Sequence, residues 1–286
     1  MKEPIGVRTN ITFNETNIAN ISLAHLLELM RTLRSYKKGL VVVGGWVPYL
    51  LLKQFQNPKS DFVHPGSKDI DIAVNPQVIN DTQYASLVKL LGDRGYKQRE
   101  NVPFSYIKKI TTPSGEDEIQ VDFLAPEYGG TSKSHRDQKL KDDFLARKAH
   151  GADIVFDNPI EFTLTGVLPN KAETSETFYI ANIVGILTMK GYVLGQRYKE
   201  KDAYDIYSLV MHYKNGAASI AEEMRPYLNN GLVQEALQTI KTNFASTTSE
   251  GPTFVADFLH ETGVAREALQ AEAYAEVRRL LELLNF

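Results

Sequence analysis

Hydrophobic and polar positions along this chain change their period once. Up to about residue 180, short apolar runs and two-residue alternation dominate, whereas from Ala181 onward strand-type alternation stops and helical spacing takes over. Leu40 to Val43 has the length and β-branched content of a buried strand, and it stops at Gly44-Gly45, after which Trp46 to Phe55 reads as a helix. Lys68 to Val74 reads as a second strand. Its alternation puts Asp69 and Asp71 on one face and Ile70, Ile72 and Val74 on the other. Further strands are predicted at Tyr96 to Glu100, Phe104 to Ile110 and Glu118 to Leu124, the last two joined across Pro113-Ser114-Gly115, with Gln120 and Asp122 sharing a face. Ile154 to Phe156, Glu161 to Leu168 and Thr177 to Ile180 complete the strand pattern. Two further helices are predicted in this half. One runs from Leu23 to Tyr36 with Ser22 as its N-cap, and the other from Asp81 to Gly92. Ala218 to Leu228, Gly231 to Phe244 and Val264 to Leu284 then read as long helices, so the expected division is an α/β domain over 1–180 and a helical domain over 181–286.

Composition narrows the class without naming a chemistry. A chain of 286 residues, 43% hydrophobic and 23% charged, is long enough for two domains with separate cores. No run approaches a membrane span and the N-terminus lacks an apolar signal core, so a cytoplasmic protein with no membrane partner is expected. The absence of cysteine excludes disulfides and thiolate metal sites. With 32 basic and 35 acidic residues the net charge is −3, so any nucleic-acid contact must come from local clustering. The clear cluster is Thr131 to His150, with Lys133, Arg136, Lys139, Lys141, Arg147 and Lys148. A solvated helix explains it as well as RNA binding does, because Lys139 to Asp143 and Asp143 to Arg147 both have i,i+4 spacing.

The candidate chemistry begins at Gly44-Gly45 and Asp69-x-Asp71. Two adjacent carboxylates repel, and a cation between them removes the repulsion; Mg²⁺ commonly binds through one or two carboxylates plus nucleotide phosphates. A glycine pair opening a helix offers backbone N–H groups to those phosphates. Together these features read as a site for a nucleoside triphosphate and Mg²⁺. Asp122 is a third strand carboxylate able to join them, or a residue that merely ends its strand before Ala125-Pro126.

Gly44-Gly45 followed by an Asp-x-Asp strand resembles the signature of the nucleotidyltransferase superfamily, and GGW followed by HPGSKDIDIAV is most similar to its AbiEii-type toxin branch. The resemblance spans roughly residues 40 to 210. The 23 residues from 46 to 68 are more than many members place between the two motifs, the excess falling in Gln54 to Gly66 as a longer loop able to carry His64 towards the site. The resemblance implies an α+β fold, a mixed β-sheet with flanking helices followed by an α-helical C-terminal domain that completes the active site. It implies metal held by Asp69, Asp71 and Asp122, two ions during catalysis, and transfer of a nucleotide to an acceptor hydroxyl with loss of pyrophosphate. The acceptor it suggests is the tRNA 3′ end or other RNA, in a toxin with a possible protein antitoxin.

A second stretch, Ile183 to Met211, carries more charge than its apolar surroundings require. In an uninterrupted helix Lys190, Arg197 and Lys201 would stack within roughly 20° of one another. Gly191 and Gly195 also permit two helices meeting near Gln196. Cations so gathered repel unless a polyanion or a carboxylate lies between them, and a triphosphate fits. Lys190 and Lys201-Asp202-Ala203-Tyr204-Asp205 are similar to the second AbiEii signature, which implies phosphate binding by Lys190 and a catalytic or orienting Asp202; Arg197, Lys201 and Asp205 are the further nucleotide-binding candidates of this stretch. A surface charge network is the plainer account. Trp46, the only tryptophan, fits the core better than a base-stacking role, and His64 and His135 lack partners at metal-ligand spacing. Two other functions share these residues: a small-molecule nucleotidyltransferase of the aminoglycoside-modifying kind, and a nucleotide-binding module without turnover.

Overall fold

The computed structural model describes residues 18–75, 77–78, 81–112, 115–126, 137–141, 144–149, 151–196 and 199–286. Helices α1 (Ile18–Thr32), α2 (Trp46–Phe55), α3 (Asp81–Asp93), α4 (Ile183–Leu194), α5 (Glu200–His212), α6 (Ala217–Met224), α7 (Gly231–Asn243), α8 (Glu250–Phe258) and α9 (Gly263–Leu283) accompany nine strands. These are β1 (Leu40–Val43), β2 (Ile70–Val74), β3 (Lys97–Arg99), β4 (Val102–Thr112), β5 (Gly115–Pro126), β6 (Asp137–Lys141), β7 (Phe144–Ala149), β8 (Ile160–Val167) and β9 (Glu173–Ile180). Among the described residues, no helix is long and apolar enough to cross a membrane.

Two compact units divide the chain. The first comprises the described residues up to Trp46, Pro65 to Ala149 and Pro159 to Ile180; the second comprises Val47 to His64, His150 to Asn158 and Ala181 to Phe286. Among the described residues, nine strands lie in the first unit and form one mixed sheet, with the path β3-β4-β5-β2-β1-β9-β8 and with β7 and β6 joined to it through β5. β1 runs antiparallel to β2 and parallel to β9, and β2 runs parallel to β5. All four residues of β1 are buried, as its unbroken Leu-Val-Val-Val predicts.

Several elements differ from their sequence expectation, each for a visible reason. Ser22 does not cap a helix; it lies buried in the second turn of α1, which starts at Ile18. The helical stretch also ends sooner, at Thr32, and Arg34 to Gly39 continue as a 3₁₀ helix. Asp69 precedes β2 instead of lying in it, because pairing begins at Ile70 with Val121 and the Lys68 carbonyl accepts from Ser22 Oγ at 2.6 Å.

The described part of the basic segment lies in strands, β6 and β7. β4 leaves β5 unpaired beyond Asp122, and β7 takes that edge in parallel register, Leu124 with Arg147 and Ala125 with Lys148. β6 then pairs back onto β7. Lys139 lies in β6 and Arg147 in β7, so these two residues are not on the helix that i,i+4 spacing allowed, and Asp143 lies outside the described residues.

In the second unit, Ile154 to Phe156 is a 3₁₀ turn instead of a strand, closed by the Asp157 amide donating to Ile154 O at 3.1 Å. It packs on the start of α4, where a Cβ on Gly185 would come within 3.2 Å of Val155 Cα. The charged stretch of this unit breaks into α4 and α5, so the continuous-helix stacking of Lys190 and Lys201 does not arise. The expected helix from Ala218 to Leu228 is α6 followed by a 3₁₀ turn at Arg225–Tyr227, where Pro226 removes an amide donor.

Candidate active site

In the first unit, the turn at Gly44 sets the position of the Asp71 carboxylate. Gly44 has φ +69°, a left-handed conformation, and a Cβ there would lie 2.0 Å from Asp71 Oδ2. The carboxylate of Asp71 thus rests against bare backbone, and only glycine satisfies both the conformation and the contact. Register places Val43 beside Asp71, Asp71 beside Asp122, and Asp122 beside Ser105, giving one row across β1, β2, β5 and β4. Alternation supports this: Ile70, Ile72, Val121 and Phe123 are buried on the other face, while Asp71 and Asp122 keep partial exposure.

The path into Asp69 is held by the core. Trp46 is 1% exposed, and its Nε1 donates to Ser22 Oγ at 3.2 Å, while that hydroxyl donates to the Lys68 carbonyl. Gly66 lies against the indole, since a Cβ there would come within 2.8 Å of Trp46 Cζ3. Trp46 is a core residue, in keeping with its position after the turn. Its indole and Ser22 together hold the chain at Lys68, one residue before Asp69.

Around Asp122 the polar groups are unevenly matched. Gln120 Nε2 donates to both carboxylate oxygens of Asp122 at 3.1 Å, and Arg99 Nη1 donates to Gln120 Oε1 at 2.8 Å. Ser105 is fully buried, and its hydroxyl finds no hydrogen-bond partner among the described residues. Among those residues no group of three His, Cys, Asp or Glu side chains is arranged to hold a metal ion by itself.

The second unit contains a buried charge cluster. Lys190 Nζ lies 2.6 Å from Asp202 Oδ1 and 2.6 Å from Asp205 Oδ2, with all three side chains buried. Lys201 Nζ reaches Asp205 Oδ1 at 2.8 Å, and His64 Nε2 lies 3.0 Å from that same oxygen. Burial opposes the charge on Lys190, but Asp205 and Asp202 outweigh it and hold the ammonium above its ordinary range. Asp205 is likewise penalised by burial, yet Lys190, Lys201 and His64 hold it well below the usual carboxylate range. Burial lowers His64, so its ring is neutral near pH 7 and its Nε2–H donates to Asp205. Burial lowers Lys201 too, though Asp205 counteracts it.

His64 arrives on the long loop after α2. Gln56 Nε2 donates to Phe62 O, and the rings of Phe62 and His212 stack with centroids 3.8 Å apart. Sequence spacing marks that loop as unusually long and able to carry His64; a partner on α5 is outside its reach. Lys190, Lys201, Asp202 and Asp205 are brought together here, whereas Arg197 lies outside the described residues, as do Lys133 and Arg136. Lys139, Arg147 and Lys148 lie on β6 and β7.

No family model matches the chain, and no curated protein matches it. Among solved structures, it is similar to one described as "putative nucleotidyltransferase from H. pylori", at 14% identity over 91% of this chain and 96% of that chain, with a TM-score of 0.39.

Proposed function

We propose that this protein is a nucleotidyltransferase, moving a nucleoside monophosphate from a nucleoside triphosphate to an acceptor hydroxyl. The observation that supports this reading is the row in which Asp71, seated against Gly44, is the register partner of Asp122. Paired carboxylates beside bare backbone suit a polyphosphate and a hard cation.

Asp71 and Asp122, with Asp69 just before the strand, are the residues that would hold magnesium. Asp71 and Asp122 keep partial exposure, which would leave room for water and phosphate beside an ion held there. When bound, the ion neutralises charge on the phosphate oxygens.

The acceptor oxygen forms a bond to the α-phosphorus, the bond from that phosphorus to the α,β-bridging oxygen breaks, and pyrophosphate leaves. Asp122 takes the hydroxyl proton. The Gly44-Gly45 backbone orients the triphosphate, so the protein contributes mainly position and charge. For the second unit we propose that Lys190 clamps Asp202 and Asp205, and that Lys201, whose side chain is 27% exposed, is its phosphate-facing cation. A phosphate reaching Lys190 would have to displace a buried carboxylate.

The finer reading, an AbiEii-type toxin acting on the tRNA 3′ end and opposed by a protein antitoxin, draws its support from the sequence resemblance. Transfer of α-labelled phosphate from each of the four NTPs, with Mg²⁺, to total tRNA and to a panel of small hydroxyl compounds tests it. Label on tRNA supports the toxin reading; label only on a small molecule replaces the acceptor, and NTP binding without label anywhere replaces the enzyme with a binding module.

A further inference from the structure

Gln120 lies between two groups whose chemistry fixes its orientation. Arginine has only donors, so the 2.8 Å contact from Arg99 Nη1 identifies the Gln120 atom it meets as the amide oxygen. The amide nitrogen then faces the Asp122 carboxylate, an acceptor, and donates to both oxygens at 3.1 Å. A flipped amide would oppose donor to donor at Arg99 and acceptor to acceptor at Asp122. One orientation therefore satisfies both ends.

Gln120 reaches both oxygens of Asp122, while the side chain of the register partner of Asp122 on β4 makes no hydrogen bond to them. Ser105, its register partner on β4, has a hydroxyl that makes no hydrogen bond among the described residues. Gln120 and Asp122 are two apart on β5 and share a face. A carboxylate gripped on both oxygens by one amide has a restricted side-chain torsion, which sets the direction in which its remaining lone pairs point.

We propose that Gln120 is a positioning residue for the metal site, fixing the Asp122 carboxylate for a divalent cation shared with Asp71, with Arg99 holding the amide in the required sense. This role rests on the proposed metal site and deepens it. Outer partners of this kind commonly account for about tenfold or more of metal affinity. Arg99 is exposed and Gln120 half-buried, so neither is needed to fill the core.

The test is titration of the full chain with Mn²⁺ alone, followed by the electron paramagnetic resonance signal of the free ion, for the parent, Asp71→Asn and Gln120→Met. Circular dichroism and the thermal midpoint report the fold. The expected result is Mn²⁺ binding by the parent, its loss in Asp71→Asn, and binding about tenfold weaker in Gln120→Met with the fold unchanged. Equal affinity in the parent and Gln120→Met, with binding still dependent on Asp71, overturns the positioning role and leaves the metal site standing. No Asp71-dependent binding in the parent overturns the metal site and this inference together. Should Gln120→Met not fold, Gln120→Thr, favoured in strands and too short to span both partners, is compared in the same way.

Discussion

Gly44 and Asp71 share a space that a single added carbon would fill: the Cβ of any other residue at 44 would fall 2.0 Å from Asp71 Oδ2. Backbone conformation and site geometry thus impose the same residue. Gly44→Ala is expected to cost about 1–2 kcal/mol from the left-handed backbone alone. Displacement of the Asp71 carboxylate adds to this and lowers nucleotide transfer by about a hundredfold or more. Thermal unfolding and label transfer measured on one preparation separate the two effects. A variant that folds and transfers normally would remove Gly44 from the site.

Ser22 links two parts of the first unit, accepting from Trp46 Nε1 and donating to Lys68 O. Ser22→Ala removes both bonds at a buried position and is expected to cost about 1–3 kcal/mol. Trp46 is the only tryptophan, so its fluorescence reports the change directly. Emission should shift to longer wavelength if the indole loses its place against Gly66.

The cluster in the second unit balances two ammonium groups against two carboxylates. Lys190→Met leaves Asp202 and Asp205 short of a cation in a buried place, with an expected cost of about 3–5 kcal/mol. Adding Asp202→Asn to that variant should recover part of the loss, because it removes one of the unbalanced charges. Urea unfolding of the two variants measures this, and a double variant less stable than Lys190→Met alone would show that Asp202 has another role.

Acid should weaken the same cluster from two directions. His64 is held below its ordinary value of 6.5, so the unfolded chain binds its proton first, and stability falls as the pH drops from 6.5 through the folded value. Asp205 is held below its ordinary 3.8, so its contribution is present above that value and is lost on further acidification. Lys190 and Lys201 also face the imidazole and oppose its protonation, while Asp205 favours it. His212, lowered by burial although Glu272 counteracts this, adds a slope of the same sign. The thermal midpoint should therefore fall between pH 7 and pH 5, and His64→Leu should flatten that fall. An unchanged slope in His64→Leu would assign it to other groups.

Legibility in the sequence depends on how far apart the interacting residues lie. β1 and the alternation around Asp71 and Asp122 are local patterns of apolar spacing, and each can be read from a few neighbouring residues; Gly191 and Gly195 allow a break between α4 and α5 without requiring one. The pairing of His64 with Asp205 spans 141 positions, and no periodicity links a loop to a helix at that distance. Ser22 misleads because a serine before an apolar run is ordinarily a cap, whereas here its hydroxyl is taken by Lys68 and Trp46. The strands β6 and β7 are hidden for a related reason: charged residues at i,i+4 suit a helix equally well, and the open edge of β5 decides the matter. Gln120 is visible on the face of Asp122, but its importance depends on Arg99, which only the folded sheet brings within reach.

The most direct test of the central claim tracks both ends of the triphosphate at once, using α-labelled and γ-labelled NTP in parallel reactions with Mg²⁺ and the acceptor that takes label. The account predicts α-label on the acceptor, γ-label in pyrophosphate, and loss of both in Asp71→Asn and Asp122→Asn proteins that fold normally. The γ-label on the acceptor would mean phosphoryl transfer instead, and transfer that survives loss of Asp71 and Asp122 would place the chemistry elsewhere; either result contradicts the assignment.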